Sequence, residues 1–360
     1  MNLFDYVEKY GDISFYKKDF NEIDNLVFSL ISYLDFTHTD VNDEKLTLEE
    51  VGREYLSIFS YDDIKKIGQA QRDAYKLLKI LIDKKRYKDV YLSDYIYTIS
   101  YETQFSACTF KLRDDLCFIC FEGTDEVVSG WKEDGELACF FPVPAQSEAI
   151  KYVNKHVKVF GPAFIIGGHS KGGNLALVSG MYVKWYKRRK IKTIYSNDGP
   201  GLREKEFYSK EFKSIKDKYV HIIPECSVFG VLLKNGNNRV IKSTKSNIFC
   251  HGLTTWIIDD DKLIEGELSL KSKRFEKSMN IWLSTHSDLE KIKTVKSLFK
   301  VFEDSSITHL TNATSIKNML KILHNIGNID KDSKKLIIDL FIYSFKYVSD
   351  ANIKVHFTQK

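Results

Sequence analysis

The sequence predicts an α/β protein with a mainly parallel sheet flanked by helices, and three observations carry that expectation. The hydrophobic period changes near residue 91 from helical spacing to short aromatic and β-branched runs. Between residues 145 and 224 strand-like and helix-like runs alternate, which calls for parallel strands with helices on the sheet faces. A glycine-framed serine, Gly168-His169-Ser170-Lys171-Gly172, sits where an apolar run meets a helix-like run.

In chain order, the first hundred residues read as mostly helical. "DDIKKIGQAQRDAYKLLKILIDKKR" begins with Asp62 as a candidate N-cap and repeats apolar residues at Ile64, Ile67, Ala70, Ala74, Leu77, Leu78 and Leu81. "YIYTISYET", "FSACTFKL" and "LCFICFEG" follow as strands, the last two joined through Arg113-Asp114-Asp115 as a hairpin feeding a buried strand. Then "AQSEAIKYVNKHVKVF" reads as a helix, "AFIIGG" as a strand and "GGNLALVSGMYVKWYK" as a helix. "KTIYSN" is a strand, "LREKEFYSKEFKSIKDK" a helix and "YVHIIP" a strand. Right-handed crossovers bring the C-terminal strand ends to one edge, where ligands bind. After Trp256 the chain returns to charged helices, including "SKRFEKSMNIWLSTHSD" and "DSKKLIIDLFIYSFKYVSD". The expected division is an N-terminal helical region over 1–90 packed on the core, a core over 91–260, and a helical region over 261–360 serving as cap, flank or interface.

Composition is that of a folded chain: 43% hydrophobic, 13% aromatic and only 5 prolines in 360 residues. A net charge of +5 is small against 54 basic and 49 acidic side chains, and no nucleic-acid partner is expected. The densest basic cluster, "KWYKRRKIK" from Lys184 to Lys192, reads as a patch for phosphate or anionic lipid, or as a helix C-terminus complementing the helix dipole. The opening residues carry early acids and no secretory core, and no run approaches the ~20 apolar residues of a transmembrane span. The six cysteines lack a disulfide-framework spacing, and Cys117 and Cys120 read as buried reduced thiols inside a strand. The expectation is a cytoplasmic protein that needs no metal or organic cofactor.

A lone G-x-S-x-G is a weak signal, with about 0.1 chance matches expected in a chain this long. Position strengthens it, because Ser170 follows a strand and precedes a helix, as a nucleophile elbow requires. A base and an orienting acid are then sought in the order Ser, Asp or Glu, His. Six histidines follow the serine: His221, His251, His286, His309, His324 and His356. His221 lies inside a strand, where a satisfied core histidine is expected, and the last four fall on the helical tail. His251, in the loop "NIFCHGLTTW" beyond the last crossover, is the expected base. Asp198 in "SNDGPG" and Glu225 in "VHIIPECS" both end strands; Asp198 is the expected acid, because Gly199, Pro200 and Gly201 make a rigid loop that fixes its carboxylate, and Glu225 is the alternative. The oxyanion donors are expected to be the backbone N–H of Thr124, in Gly123-Thr124-Asp125, together with its hydroxyl, and the backbone N–H of Lys171. Thr124-Asp125 also reads as a helix cap, which does not exclude that role.

Together "CFEGTDEVVSGWKED", "GGHSKGGNLA", "SNDGPGL" and "CHGLTTW" resemble a bacterial domain-of-unknown-function family of lipase-like α/β-hydrolases related to the class 3 lipases. The N-terminal "NLFDYVEKYGDISFYKKDFNEIDNLVFSLISYLDF" is similar to that family as well, so the likeness runs in order over roughly residues 1 to 260. It implies an α/β-hydrolase fold with helical N- and C-terminal additions, Ser170 at the nucleophile position and His251 at the base position. It matches Gly123-Thr124 to the oxyanion loop, Trp131 and Asp134 to its continuation, and Asp198 to the acidic position of "DGPG". The chain departs from the family in having Glu122 where arginine is usual, and Cys250-His251-Gly252 where Gln-His-Asp is usual.

The function these readings lead to is hydrolysis of a carboxylic ester through an acyl-enzyme on Ser170. The substrate is a small-molecule or lipid ester with an apolar acyl group, for which "CFFPVP", Cys139 to Pro144, is a candidate pocket or lid or else ordinary packing. Alternatives are a catalytically silent binding module of the same fold, or a partner- or membrane-surface-binding protein acting through its helical tail.

Overall fold

The computed structural model describes residues 1–42, 46–65, 67–100, 103–124, 128–306 and 316–346. Six helices come first: α1 (Leu3–Tyr10), α2 (Glu22–Ile31), α3 (Leu48–Ile58), α4 (Tyr61–Ile64), α5 (Gln69–Leu81) and α6 (Lys85–Lys88). Asn2, Asn21, Thr47 and Ser60 close capping boxes at four of their starts, each satisfying amides that helical geometry leaves open. The continuous helix expected from Asp62 is two helices. Ser60, rather than Asp62, is the N-cap, and the chain leaves the helix after Ile64 and restarts beyond an extended Gly68. Ile67 falls in this break and is 43% exposed, whereas Ala74, Leu77, Leu78 and Leu81 are fully buried on one face of α5.

The seven-stranded sheet is ordered β1 (Tyr91–Ile99), β2 (Gln104–Arg113), β3 (Leu116–Phe121), β4 (Ala163–Gly168), β5 (Ile191–Asn197), β6 (Tyr219–Pro224) and β7 (Asn238–Ile241). β1 to β3 form an antiparallel meander with the expected hairpin turn at Asp114-Asp115, and β3 to β7 are parallel. The longer helices within the crossovers are α7 (Val128–Glu136), α8 (Pro144–His156) and α9 (Lys171–Met181). Every parallel step moves the same way across the sheet, so right-handed crossovers put α8 and α9 on one face. The opposite face is left open by that topology, and the N-terminal helices cover it.

The pleat sorts β3 between the two layers. Ile119 and Phe121 pack with Ala149, Val153, Leu175 and Val178 of α8 and α9. Phe118 and Cys120, one residue out of phase, pack with Leu26, Phe28, Leu77 and Leu78 of the N-terminal helices. Burying such a side chain contributes about 1.5–3 kcal/mol, so both layers are needed to cover a strand this apolar. A buried ion pair ties the N-terminal layer together: Arg86 Nε and Nη2 donate to Asp24 at 2.8 and 2.6 Å, and the Tyr87 hydroxyl donates to the same carboxylate at 2.8 Å.

The helix expected over Leu202 to Lys218 is broken into α10 (Glu204–Phe207), α11 (Lys210–Lys213) and a 3-10 turn, because Ser209 caps a new start by accepting the Phe212 N–H. A short hairpin, β8 (Ile258–Asp259) and β9 (Lys262–Leu263), precedes α12 (Leu270–Thr285), α13 (Asp288–Asp304) and the helices Ile316–Asn328 and Lys331–Lys346. α13 lies on α7 so closely that a Cβ added at Gly135 would come within 3.1 Å of Val295. Among the described residues no helix is long and apolar enough to cross a membrane.

Candidate active site

Ser170 holds φ +54° and ψ −127° at the junction of β4 and α9. For a non-glycine residue this conformation costs on the order of 1–3 kcal/mol and persists only where neighbours enforce it. Here they do. The Ser170 N–H donates to the Asn197 carbonyl at 2.9 Å, and Asn197 Nδ2 donates to the Gly168 carbonyl at 3.1 Å. A Cβ at Gly168 would stand 2.6 Å from the Phe121 carbonyl oxygen, and one at Gly172 would land on that same oxygen. The two glycines are therefore required by the close approach of β3, β4 and α9. Ser170 makes no side-chain capping bond to α9, which leaves its hydroxyl at the helix N-terminus with the first helical amides.

Asp198 follows β5 in a left-handed conformation, φ +50°, and is fully buried. Its Oδ2 is 2.6 Å from His251 Nδ1. Its Oδ1 accepts from the Ser227 hydroxyl and from the Gly230 N–H at 3.1 Å. His251 ends a 3-10 segment, Asn247–His251, and is one-fifth exposed at its side chain. Glu225, the other candidate acid, is tied through its backbone to Ile241 and Ser269, and among the described residues its carboxylate makes no bond to the imidazole. Ser170 Oγ likewise makes no hydrogen bond to His251 in this structure, among the described residues. His221 is buried, with Nε2 3.0 Å from the Gly199 carbonyl and Nδ1 2.9 Å from Asn238, and burial lowers its pKa.

His169, the unassigned residue of the serine motif, fixes the base from behind. Its Nε2 lies 2.9 Å from the His251 carbonyl, an atom that only accepts, so Nε2 carries the proton. Its Nδ1 then accepts from the Tyr33 hydroxyl at 2.8 Å. Burial, together with the neighbouring His251, holds the His169 imidazole well below its usual pKa, consistent with this neutral tautomer. The sequence holds no signal for this contact, since Tyr33 is 136 residues away.

At the expected oxyanion loop, the Thr124 hydroxyl donates to Asp134 Oδ2 at 2.7 Å. Asp134 Oδ1 is buried with no hydrogen-bond partner among the described residues, and burial pushes its carboxyl up to about 6. Lys171 reaches away from the serine: its Nζ lies 3.1 Å from Glu133 and 2.9 Å from the Gln104 carbonyl, both bonds buried. Asp125 lies outside the described residues. Trp131 is in α7, and its side chain is not described. Of "CFFPVP", Cys139 and Val143 are buried, Phe141 packs with Tyr182, and Phe140 is 37% exposed.

The cysteines correct the sequence reading in one place. Cys117 and Cys120 are buried free thiols as expected, but Cys226 and Cys250 form a disulfide across a sequence separation of 24. No spacing rule marks such a lone pair. It links the loop of Ser227, which holds Asp198, to the residue just before His251. Among the described residues there is no group of His, Cys, Asp and Glu that could hold a metal ion.

The mainly parallel sheet, its flanking helices and the serine held at the strand-to-helix turn make up an α/β-hydrolase fold. The chain belongs to the Mbeg1-like family, whose profile matches residues 81–300, more than half of its length. Among solved structures it is similar to one described as the crystal structure of M37 lipase. They share 13% identity over 59% of this chain and 70% of that one, with a TM-score of 0.37. No curated protein matches the chain.

Proposed function

We propose that the protein is a serine esterase in which Ser170 attacks the ester carbonyl, His251 takes its proton, and Asp198 holds the imidazole. The observation that carries this reading is the 2.6 Å contact of Asp198 with His251 Nδ1, beside a serine held at positive φ. With Nδ1–H directed at the carboxylate, Nε2 is the free base, and the imidazolium formed on attack is stabilised by a charge-assisted bond. His251 then returns the proton to the leaving alcohol, and water releases the acyl group from Ser170. The amides at the start of α9, with that of Thr124, are the proposed oxyanion donors. Serine–base bonds in unliganded hydrolases are often long and tighten in the substrate complex, which accommodates the open Ser170–His251 geometry. Ile248 and Phe249, 58% and 71% exposed in the segment that ends at His251, favour an apolar acyl group.

A cytoplasmic setting belongs to the same proposal. Four buried free thiols fit a reducing compartment, and the Cys226–Cys250 bond is the feature that pulls the other way. The second reading, a silent module, is favoured by the absent Ser170–His251 bond. Labelling by a fluorophosphonate probe, with turnover of short- and long-chain p-nitrophenyl esters, separates the two. The esterase labels and turns over, and Ser170→Ala does neither while keeping its fold. A folded wild type that does not label refutes the esterase.

A further inference from the structure

At the edge of the sheet where the parallel strands begin, opposite the serine, bare aromatic side chains stand among cations. The turn before β4 carries Phe160, 86% exposed, and the turn before β5 carries Trp185, 79% exposed, with Tyr186 beside it. The two turns are laced together. The Lys184 N–H donates to Asn154 Oδ1 at 2.9 Å, Lys187 Nζ to the Asn154 carbonyl at 2.6 Å, and Lys190 Nζ to the Gly161 carbonyl at 2.6 Å. Lys155, Lys158, Lys184, Arg189 and Lys192 are exposed on the same two turns and the strand and helix ends beside them. Among the described residues no carboxylate pairs with any of these five. Of the nearby acids, Asp115 is ion-paired with Arg113 and also feels the Lys192 charge, Asp94 is bonded to His156 and also feels that of Lys155, and Glu148 is paired with Lys151.

Helix capping accounts for Lys155, in the last turn of α8, but not for the rest of this charge. α9 ends at Met181, so the basic run lies beyond it, and the dipole's influence is confined to a helix's last turn. The charge is also uncompensated beneath the surface. Arg188 Nε is buried with no hydrogen-bond partner among the described residues, and the neighbouring Lys218 donates to the Arg188 and Ile191 carbonyls at 2.9 and 2.7 Å. Burial and the Arg188 charge lower the pKa of Lys218.

We propose that this edge is a docking surface for a membrane bearing anionic phospholipids, with Phe160 and Trp185 entering the headgroup layer and the five exposed cations facing lipid phosphates. Amphipathic rings ringed by lysine and arginine suit that interface, where one side is apolar and the other wet and negative. The aromatic tips stand on separate turns and project from the fold, which fits a layer that yields to them better than a strand of nucleic acid lying in a groove. A docked chain turns its serine edge away from the bilayer, so docking and ester turnover are separable, and the inference does not depend on the role of Ser170.

The test is co-sedimentation of the full chain with vesicles of phosphatidylcholine alone and of phosphatidylcholine mixed with phosphatidylglycerol. Binding is expected only to the anionic vesicles, with a blue shift of Trp185 fluorescence that is missing in Trp185→Phe. It should vanish at about 1 M salt, where the screening length falls to about 3 Å. K184A/R189A should weaken binding about 25-fold, at about five-fold per cation. F160A/W185A should abolish the interaction, and both double variants should keep the thermal transition and ester turnover of the wild type. Equal binding to both vesicle types, no binding, or binding unchanged in the variants would overturn the proposal. So would an oligonucleotide that binds more tightly than the anionic vesicles and is lost in the same variants.

Discussion

Asp198→Asn isolates what the carboxylate does, because the structure dictates how an amide would sit there. Two donors, the Ser227 hydroxyl and the Gly230 N–H, point at Oδ1. The amide oxygen must take that side, which turns the amide NH2 towards His251 Nδ1. The imidazole then accepts at Nδ1 and carries its proton on Nε2, the nitrogen that has to receive the Ser170 proton. Restoring the active tautomer would set two donors face to face in a buried place, at about 1–3 kcal/mol. The lost charge-assisted bond to the imidazolium adds about 1.5–3 kcal/mol. Together these make about 3–6 kcal/mol, a fall of about 10²–10⁴ in kcat. The assay is p-nitrophenyl ester turnover and the rate of fluorophosphonate labelling, with circular dichroism as the fold control. Activity within ten-fold of wild type in Asp198→Asn, alongside a loss of several orders in Glu225→Gln, would refute the reasoning and move the acid to Glu225.

Three further outcomes are expected. His169→Phe removes the tether on the His251 carbonyl and leaves the Tyr33 hydroxyl without its imidazole acceptor; stability should fall by about 1–3 kcal/mol, and kcat should drop with KM unchanged. A KM effect alone would contradict that positioning role. Gly172→Ala drives a methyl onto the Phe121 carbonyl and should lower the melting temperature and abolish probe labelling. Gly236→Ala, whose Cβ would meet nothing closer than 3.7 Å, should do neither. The Asp134 carboxyl, raised to about 6 in the folded chain, binds its proton more tightly there than when unfolded. Its stabilising contribution is therefore complete below about pH 4 and lost as pH rises through about 6, roughly 2–3 kcal/mol in all. The wild-type melting temperature should fall across that window relative to Asp134→Asn, and parallel pH profiles of the two proteins would count against it.

What the sequence by itself determined was whatever local chemistry encodes. Short aromatic and β-branched runs placed the strands between Tyr95 and Pro224, because such side chains suit a buried pleated surface. Glycines at 168 and 172 around Ser170 marked the elbow, because only a missing Cβ allows β3, β4 and α9 to approach that closely. Where capping overrode periodicity the reading failed: Ser60 starts a helix ahead of the expected Asp62, and Ser209 starts one inside a run that looks continuous. Between the two acids the sequence favoured Asp198 on its rigid loop but held no contact that decides. Asp198 and Glu225 both end strands, and which one meets His251 depends on how a loop 53 residues after Asp198 folds back over the sheet. The same holds for Tyr33 behind His169, for Ser227 beneath Asp198, and for the Cys226–Cys250 link. Each is a pairing between segments that share no pattern, decided by packing of the two helical layers on the sheet. Tertiary structure also decided the basic run after α9. By ending the helix at Met181 and lacing the next turn to Gly161 and Asn154, it sets Trp185 and Phe160 on one edge, where the sequence offered only a count of charges.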